Sequence, residues 1–368
     1  MSTVFFAGGG TGGHLMPALA IADAMVRLDG SVRPFFLGGR RGIEANVLPQ
    51  RPWPYELLPL EPLRRRQWWK NGVLPLSFVR SVRRVGQLCA EHRPALVVGT
   101  GRYAAGPVVW AAASRGVPAI LQEQNAFPGL ATRWLAGKAA QIHLGFPEAR
   151  QHLKPGPSTT LVDSGNPILP PPNPRPDKRK SQASFWSLTP GGPVVLVLGG
   201  SQGALAINLA VESALRGGLW PRGFRLIWQT GAGTYDQFAK WDDRTSILVQ
   251  PFIDPIAGAY AAADCVVSRS GAMTLAEICA WSLPSVLIPL PTAAAGHQAA
   301  NARALADSGA ALFLDQSDLT GQRLAAELGG LFSSPARLAD ISLAAGRRAR
   351  PDAADRIASA ALGLLPRN

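Results

Sequence analysis

Short apolar runs rich in β-formers alternate along the chain with stretches of helical periodicity, the pattern of an α/β protein with parallel sheets. Residues 3–7, 34–37, 95–99 and 117–121 read as strands, and a helix is expected near residues 17–28. The grammar restarts in the second half. Residues 194–198, 225–229, 246–249, 264–268 and 285–289 read as strands, with helices from about Ala204 and over residues 272–281. Between the halves lies Pro170-Pro171-Pro172-Asn173-Pro174-Arg175-Pro176, which fits neither helix nor central strand and reads as a stiff surface linker. The expected fold is therefore two Rossmann-like α/β domains with parallel sheets facing a cleft. Residues 1–165 form the first, 166–176 the linker, 177–340 the second. The helical residues 341–368 could return to either domain, with the N-terminal one favoured.

At 368 residues the chain exceeds one ordinary core, in keeping with two domains. Hydrophobic content of 47% and charged content of 17% describe a globular protein. No run of 18 apolar residues occurs, and the N-terminus lacks the basic start of a signal peptide. The expected location is the cytoplasm. Cys89, Cys265 and Cys279 form no CxxC pair and read as buried, reduced thiols.

Net charge is +13, and residues 1–165 carry most of it, with 19 Lys/Arg against 9 Asp/Glu. Such a field favours an anionic partner: a membrane surface, nucleic acid or a phosphorylated substrate. Arg64, Arg65, Arg66, Lys70, Arg80, Arg83 and Arg84 fall in residues 63–90 without an acid among them. Trp68, Trp69, Leu74, Leu76, Phe78 and Val79 are interleaved. Basic groups suit anionic headgroups and tryptophans suit the interface, so the stretch reads either as a membrane-docking surface or as an ordinary helix over a core. No nucleic-acid-binding module accompanies it.

Six motifs carry candidate chemistry. Gly8-Gly9-Gly10-Thr11-Gly12-Gly13-His14 follows a strand and opens a helix, where backbone N–H groups and the helix start favour an anion. Its spacing also fits a dinucleotide fingerprint. That role needs an acid ending the second strand, and Leu37-Gly38-Gly39-Arg40 has none. His14 at this turn is either structural or a base or phosphate partner. Residues 99–106 (GTGRYAAG) form a similar turn, in which Tyr103 either packs or hydrogen-bonds a ligand. Gln122-Glu123-Gln124-Asn125 crowd the end of a parallel strand, with turn duty as the alternative. Gly199-Gly200-Ser201-Gln202-Gly203-Ala204 repeats strand, turn, helix and offers the Ser201 hydroxyl. In residues 268–277 the N–H groups of Ala272, Met273 and Thr274 open a helix and could cradle a diphosphate. Glu277 is then placed for ribose hydroxyls, although a solvated helix glutamate is the simpler reading of its spacing. Gln298 and Asn301, three apart, share a helix face suited to sugar hydroxyls.

Seven segments in order, GGGTGGH at 8–14, GTGRYAAGP at 99–107, QEQNAFPG at 122–129, GNP at 165–167, GGSQGA at 199–204, SRSGAMTLAE at 268–277 and HQAANA at 297–302, resemble the MurG family of family 28 glycosyltransferases. The resemblance implies the GT-B fold. It implies transfer of N-acetylglucosamine from UDP-GlcNAc to the 4-hydroxyl of an undecaprenyl-diphosphate-linked MurNAc-pentapeptide, lipid I, with inversion to give lipid II. It implies that Ile253 and its loop bind uracil, Glu277 the ribose, and Ser201 with Ala272–Thr274 the diphosphate. Gln298 and Asn301 would read the sugar. Thr11, Gly12, Gly13 and Asn125 would complete the site from the N-terminal half, Tyr103 and Arg102 would meet the acceptor, and Arg64, Arg65, Trp68, Trp69, Lys70, Phe78 and Arg80 would dock on the anionic cytoplasmic face of the membrane. Two positions depart from the family pattern: Arg102 replaces a glycine, and Leu169 stands where an arginine is common.

An inverting transfer needs a base for the acceptor hydroxyl and stabilisation of departing UDP. No Asp-x-Asp pair occurs, so helix starts and glycine-turn amides are the expected stabilisers, without a cofactor or metal. His14 is the expected base, with Glu123 second. Another lipid-directed glycosyltransferase, a UDP-sugar epimerase on the same fold, and a non-catalytic binding module using the basic half are the alternatives.

Overall fold

The computed structural model describes every residue except 61–71, 73, 186–190, 201, 367 and 368. Two compact units divide the chain: residues 1–169 with 350–368, and residues 170–349.

The first unit carries a seven-stranded parallel sheet: β1 (Ser2–Ala7), β2 (Val32–Gly39), β3 (Tyr55–Leu58), β4 (Leu96–Gly99), β5 (Ala119–Glu123), β6 (Gln141–Leu144) and β7 (Thr160–Val162). They lie in the order β3-β2-β1-β4-β5-β6-β7. The second unit carries six parallel strands: β8 (Val194–Leu198), β9 (Arg225–Gln229), β10 (Ile247–Gln250), β11 (Cys265–Ser268), β12 (Ser285–Leu287) and β13 (Leu312–Phe313). Their order is β10-β9-β8-β11-β12-β13. In each sheet the order runs outward one way from the first strand and then restarts on its other side. The switch points are β1/β4 and β8/β11, and open α/β sheets bind ligands beyond the strand ends at such places.

Both faces of each central strand are covered, as near-continuous apolar runs require. Phe5, Val97 and Leu121 point into one apolar layer of the first unit, and Phe6, Val98 and Ile120 into the other. In the second unit Val195, Val197, Trp228 and Val267 share one core. The buried Trp228 indole donates to Asn208 Oδ1 at 2.9 Å, satisfying its one polar atom.

Four expectations are sharpened. The first helix runs Gly12–Leu28 and so begins inside the glycine motif. β5 extends to Glu123, because Gln122 and Glu123 are buried with their polar atoms paired. The basic stretch enters a helix at Leu74–His92 with Pro75 in its first turn, where a missing N–H costs nothing. The helix Ala353–Leu362 packs on Gly12–Leu28 in the first unit.

Ile357 on that returning helix is fully buried in the layer that contains Leu15 and Ile21. Ile357→Ala is expected to cost ~3 kcal/mol, read as a lower midpoint of chemical denaturation.

Candidate active site

At the β1/β4 switch point the turn after β1 meets the turn after β4. Thr100 N donates to Ala7 O at 2.9 Å, fastening the two strand ends together. Thr100 Oγ1 donates to His14 O at 2.6 Å, and His14 Nδ1 bonds the Thr100 carbonyl at 2.9 Å. A carbonyl oxygen only accepts, so Nδ1 carries the proton. In the neutral ring Nε2 is then the acceptor. Burial pushes the His14 pKa below the ordinary 6.5. The Thr100 carbonyl, the Glu123 charge and the Gln124 amide oppose that shift, and the Arg102 charge adds to it. The result is a neutral imidazole at pH 7 with a defined tautomer.

Glu44, which belongs to none of the sequence motifs, organises the same turn. Its fully buried carboxylate accepts from Gly10 N at 2.6 Å and from Gly39 N at 2.8 Å. A Cβ on Gly9 would lie 2.4 Å from that carboxylate, so the glycine makes room for an internal acid. The Gly10 amide therefore serves the fold. The first-turn amides of Gly12 and Gly13, at a helix start, remain the ones suited to a ligand. The only sequence hint of Glu44 is its place beside Gly38, Gly39 and Gly42.

Glu123 is bound differently from a base. Oε1 accepts from Asn125 N at 3.0 Å and Asn125 Nδ2 at 3.2 Å. Oε2 accepts from Gly129 N at 3.0 Å and Thr132 Oγ1 at 2.6 Å. Four donors on a buried carboxylate make it the brace of the loop before the helix Leu130–Leu135, and Asn125 is part of the same brace.

Arg102 opens the helix Arg102–Ala113 with φ 61°, in the left-handed region that glycine occupies freely. The glycine that the resemblance leads one to expect here thus has a backbone reason. A methyl group placed on Gly10 would meet Tyr103 at 2.9 Å and the Arg102 side chain at 3.1 Å, so both side chains lie over the first glycine turn. Arg102 is exposed and Tyr103 partly buried. Thr11 and Gly13 are exposed at the same turn. Leu169 is 87% exposed and, being apolar, supplies none of the charge an arginine would.

The β8/β11 switch point repeats the plan in the second unit. Gly203, with φ 76°, has the Thr230 carbonyl 2.0 Å from where a Cβ would stand. Gln229, to which no motif points, donates to Gly200 O at 3.1 Å and accepts from Ile253 N at 2.9 Å. It ties the glycine turn to the Ile253 loop, and Ile253 is itself buried. The helix Ala272–Ala280 follows β11, and its N-cap is Gly271, which has no side chain to bond the first-turn amides. Glu277 is partly buried on this helix, and its Oε2 accepts from Tyr260 OH at 2.9 Å. Burial raises the pKa of both groups. Glu277 is a fixed acceptor, unlike the solvated helix glutamate its spacing suggests.

Gln298 is half-buried. Its Oε1 accepts from Leu290 N at 2.9 Å, which turns its NH2 to other partners. Asn301 is fully buried and donates to Ser270 O at 3.2 Å, so it supports the turn that precedes Ala272, and a shared face with Gln298 does not make it a surface group. Ser201, Arg64, Arg65, Trp68, Trp69 and Lys70 lie outside the described residues. Phe78 and Arg80 lie on the helix Leu74–His92.

Residues 4–144 match the glycosyltransferase family 28 N-terminal domain, and residues 194–357 match the glycosyltransferase family 28 C-terminal domain. The chain belongs to glycosyltransferase family 28, and its two parallel-sheet units are those of the GT-B fold. Among its relatives, a UDP-N-acetylglucosamine–N-acetylmuramyl-(pentapeptide) pyrophosphoryl-undecaprenol N-acetylglucosamine transferase of Salinibacter ruber (strain DSM 13855 / M31) is 39% identical over 365 residues, covering 99% of this chain and 97% of that one. The protein of the same name in Anaeromyxobacter dehalogenans (strain 2CP-C) is 38% identical, covering 98% and 92%. The crystal structure of Acinetobacter baumannii MurG aligns with a TM-score of 0.78 at 26% identity, covering 98% of this chain and 99% of that one.

The left-handed backbone at Arg102 inverts the usual helix ranking. Arg102→Gly is expected to be more stable than Arg102→Ala by about 1 kcal/mol, measured by thermal or denaturant unfolding of the two variants.

Proposed function

We propose that this chain transfers N-acetylglucosamine from UDP-GlcNAc to the 4-hydroxyl of a lipid-linked MurNAc-pentapeptide, converting lipid I to lipid II, with His14 as general base. The observation that carries the mechanism is the bond from His14 Nδ1 to the Thr100 carbonyl, which leaves Nε2 as the proton acceptor at a switch point. The substrates follow from family membership and from relatives with the same named activity, matched over 97% and 92% of their length.

In this reading Nε2 takes the proton as the 4-hydroxyl attacks the anomeric carbon. One displacement inverts the α donor to a β product. Departing UDP carries developing charge on its diphosphate, and the N-terminal amides of Ala272, Met273 and Thr274 stabilise it as fixed dipoles. Ser201 would add its hydroxyl. Glu277, steadied by Tyr260, accepts from ribose hydroxyls. The Ile253 loop meets the uracil through backbone groups, and Gln298 offers its NH2 to the sugar. Asn301 and Asn125 act from behind, holding the turns that touch substrate. Thr11, Gly12 and Gly13 add contacts to UDP-GlcNAc from the first unit, and Arg102 and Tyr103 meet the acceptor.

The acceptor is a lipid, and the first unit carries a surface to match. Leu76, Val79, Arg80 and Arg83 recur at helical spacing on one face of Leu74–His92, with Leu76 and Val79 exposed. Leu130 and Trp134 are exposed on the neighbouring helix, and Phe78 packs on Trp134 with ring centroids 6.0 Å apart. Arg84 is drawn off by Glu56 at 2.7 Å and Glu91 at 3.1 Å, so it adds little charge to the patch. Among the described residues no helix is long and apolar enough to cross a membrane. Peripheral docking on the anionic cytoplasmic face of the membrane, with UDP-GlcNAc and lipid I as partners, is the arrangement this surface supports.

Labelled UDP-GlcNAc incubated with lipid I is expected to yield labelled lipid. An epimerised nucleotide sugar with no labelled lipid would instead establish an epimerase. His14→Ala is expected to lower kcat by about 10²-fold or more. Because its pKa is depressed, His14 stays neutral as pH falls past 6.5. The acidic limb of the wild-type rate profile should therefore lie below 6.5 and vanish in the variant. Wild-type turnover in His14→Ala would eliminate it as base. At about 1 kcal/mol per basic residue, Arg80→Ser with Arg83→Ser should weaken binding to phosphatidylglycerol vesicles by about thirtyfold while UDP binding is unchanged, measured by co-sedimentation and calorimetry.

A further inference from the structure

The hydrogen bonds around His14 continue inward through buried side chains. The Thr100 carbonyl that accepts from His14 Nδ1 also accepts from Gln124 Nε2 at 2.8 Å. Gln124 Nε2 further bonds the Gln122 side-chain oxygen. Gln122 Nε2 donates to Asn166 Oδ1 at 3.0 Å, and Asn166 Nδ2 donates back to Gln124 O at 3.0 Å. Thr100, Gln122, Gln124 and Asn166 are all buried to within 2%. Three amide side chains in an apolar sheet are costly to desolvate, and an apolar trio would fill the space without that cost. One end of the chain of bonds is the carbonyl that sets the histidine tautomer.

We propose that Gln124 is a positioning residue which, held by Gln122 and Asn166, aims the Thr100 carbonyl so that His14 keeps its proton on Nδ1 and presents Nε2 for proton abstraction. The proposal rests on the reading of His14 as base and deepens it. With two donors on one carbonyl, that oxygen is held at hydrogen-bond distance from both Nδ1 and the Gln124 amide. Without Gln124 the carbonyl keeps its strand-end anchors but loses the second donor that fixes its direction, and the Nε2–H tautomer, which cannot accept a proton on that side, becomes populated. Glu123, adjacent in sequence, does not serve this purpose, since its oxygens are bound to the 125–132 loop.

The test reads the tautomer directly. The chain has five histidines, and ¹⁵N-histidine labelling with His14→Ala as the subtraction identifies the His14 ring signals. Wild type should show a protonated Nδ1 and an unprotonated, pyridine-like Nε2. Gln124→Met should give mixed tautomers, kcat reduced roughly tenfold and donor KM within about twofold of wild type. Asn166→Asp should act in the same direction, and the double variant should be no slower than Gln124→Met alone, because both break one chain of bonds. A folded Gln124→Met whose His14 keeps the Nδ1–H tautomer overturns the proposal even if kcat falls, as does an Nε2–H ring in wild type. Should Gln124→Met fail to fold, Gln122→Met carries the same readout one link further from Thr100. Unchanged kcat in His14→Ala sinks the base assignment instead, and the ring spectra keep the two failures apart.

Discussion

The strand order of each sheet is the constraint from which the rest follows. Parallel strands laid out from the first strand in one direction, then in the other, send two crossover helices away from the same edge in opposite directions. At that one place the backbone turns away from the sheet on both sides and its amides are not consumed by a ladder. In the first unit the opening is filled by Thr100, His14 and Glu44. In the second it is bordered by Gly200, Gly203 and the start of the helix Ala272–Ala280. The chemistry is placed by topology before any side chain is chosen.

The two openings are then specialised in opposite senses. The first is closed from within: Glu44 takes the Gly10 amide, Thr100 grips His14 at two atoms, and a buried amide chain supports Thr100. What remains is an uncharged imidazole with its proton on Nδ1. The second presents a helix start behind a glycine N-cap, with Glu277 and Gln229 held from behind by Tyr260 and by the Gly200 and Ile253 backbones. A site that must take a proton needs a defined lone pair. A site that must stabilise a leaving diphosphate needs N–H groups aimed at it.

Much of this is legible in the sequence, for identifiable reasons. Strand, glycine turn and helix have different periodicities, so residues 3–14 and 194–204 announce their geometry locally, and the proline run marks the change of unit near residue 170. His14 stands out because it closes a glycine turn. What stays hidden depends on contacts distant in sequence. Glu44 meets Gly10 across 34 positions, Gln124 meets Thr100 across 24, and Tyr260 meets Glu277 across 17. Polarity also misleads. Gln122 and Glu123 look like loop residues because buried amides and carboxylates are rare, and only their partners make them tolerable inside β5. Asn301 shares helical spacing with Gln298, but its side chain is buried against the turn it supports.

A structure of the protein with bound UDP tests the division of labour most directly. The diphosphate is expected against the amides of Ala272, Met273 and Thr274, with the ribose hydroxyls on Glu277. Diphosphate density lodged instead in the turn at residues 8–13, with the 272–274 amides untouched, would contradict it.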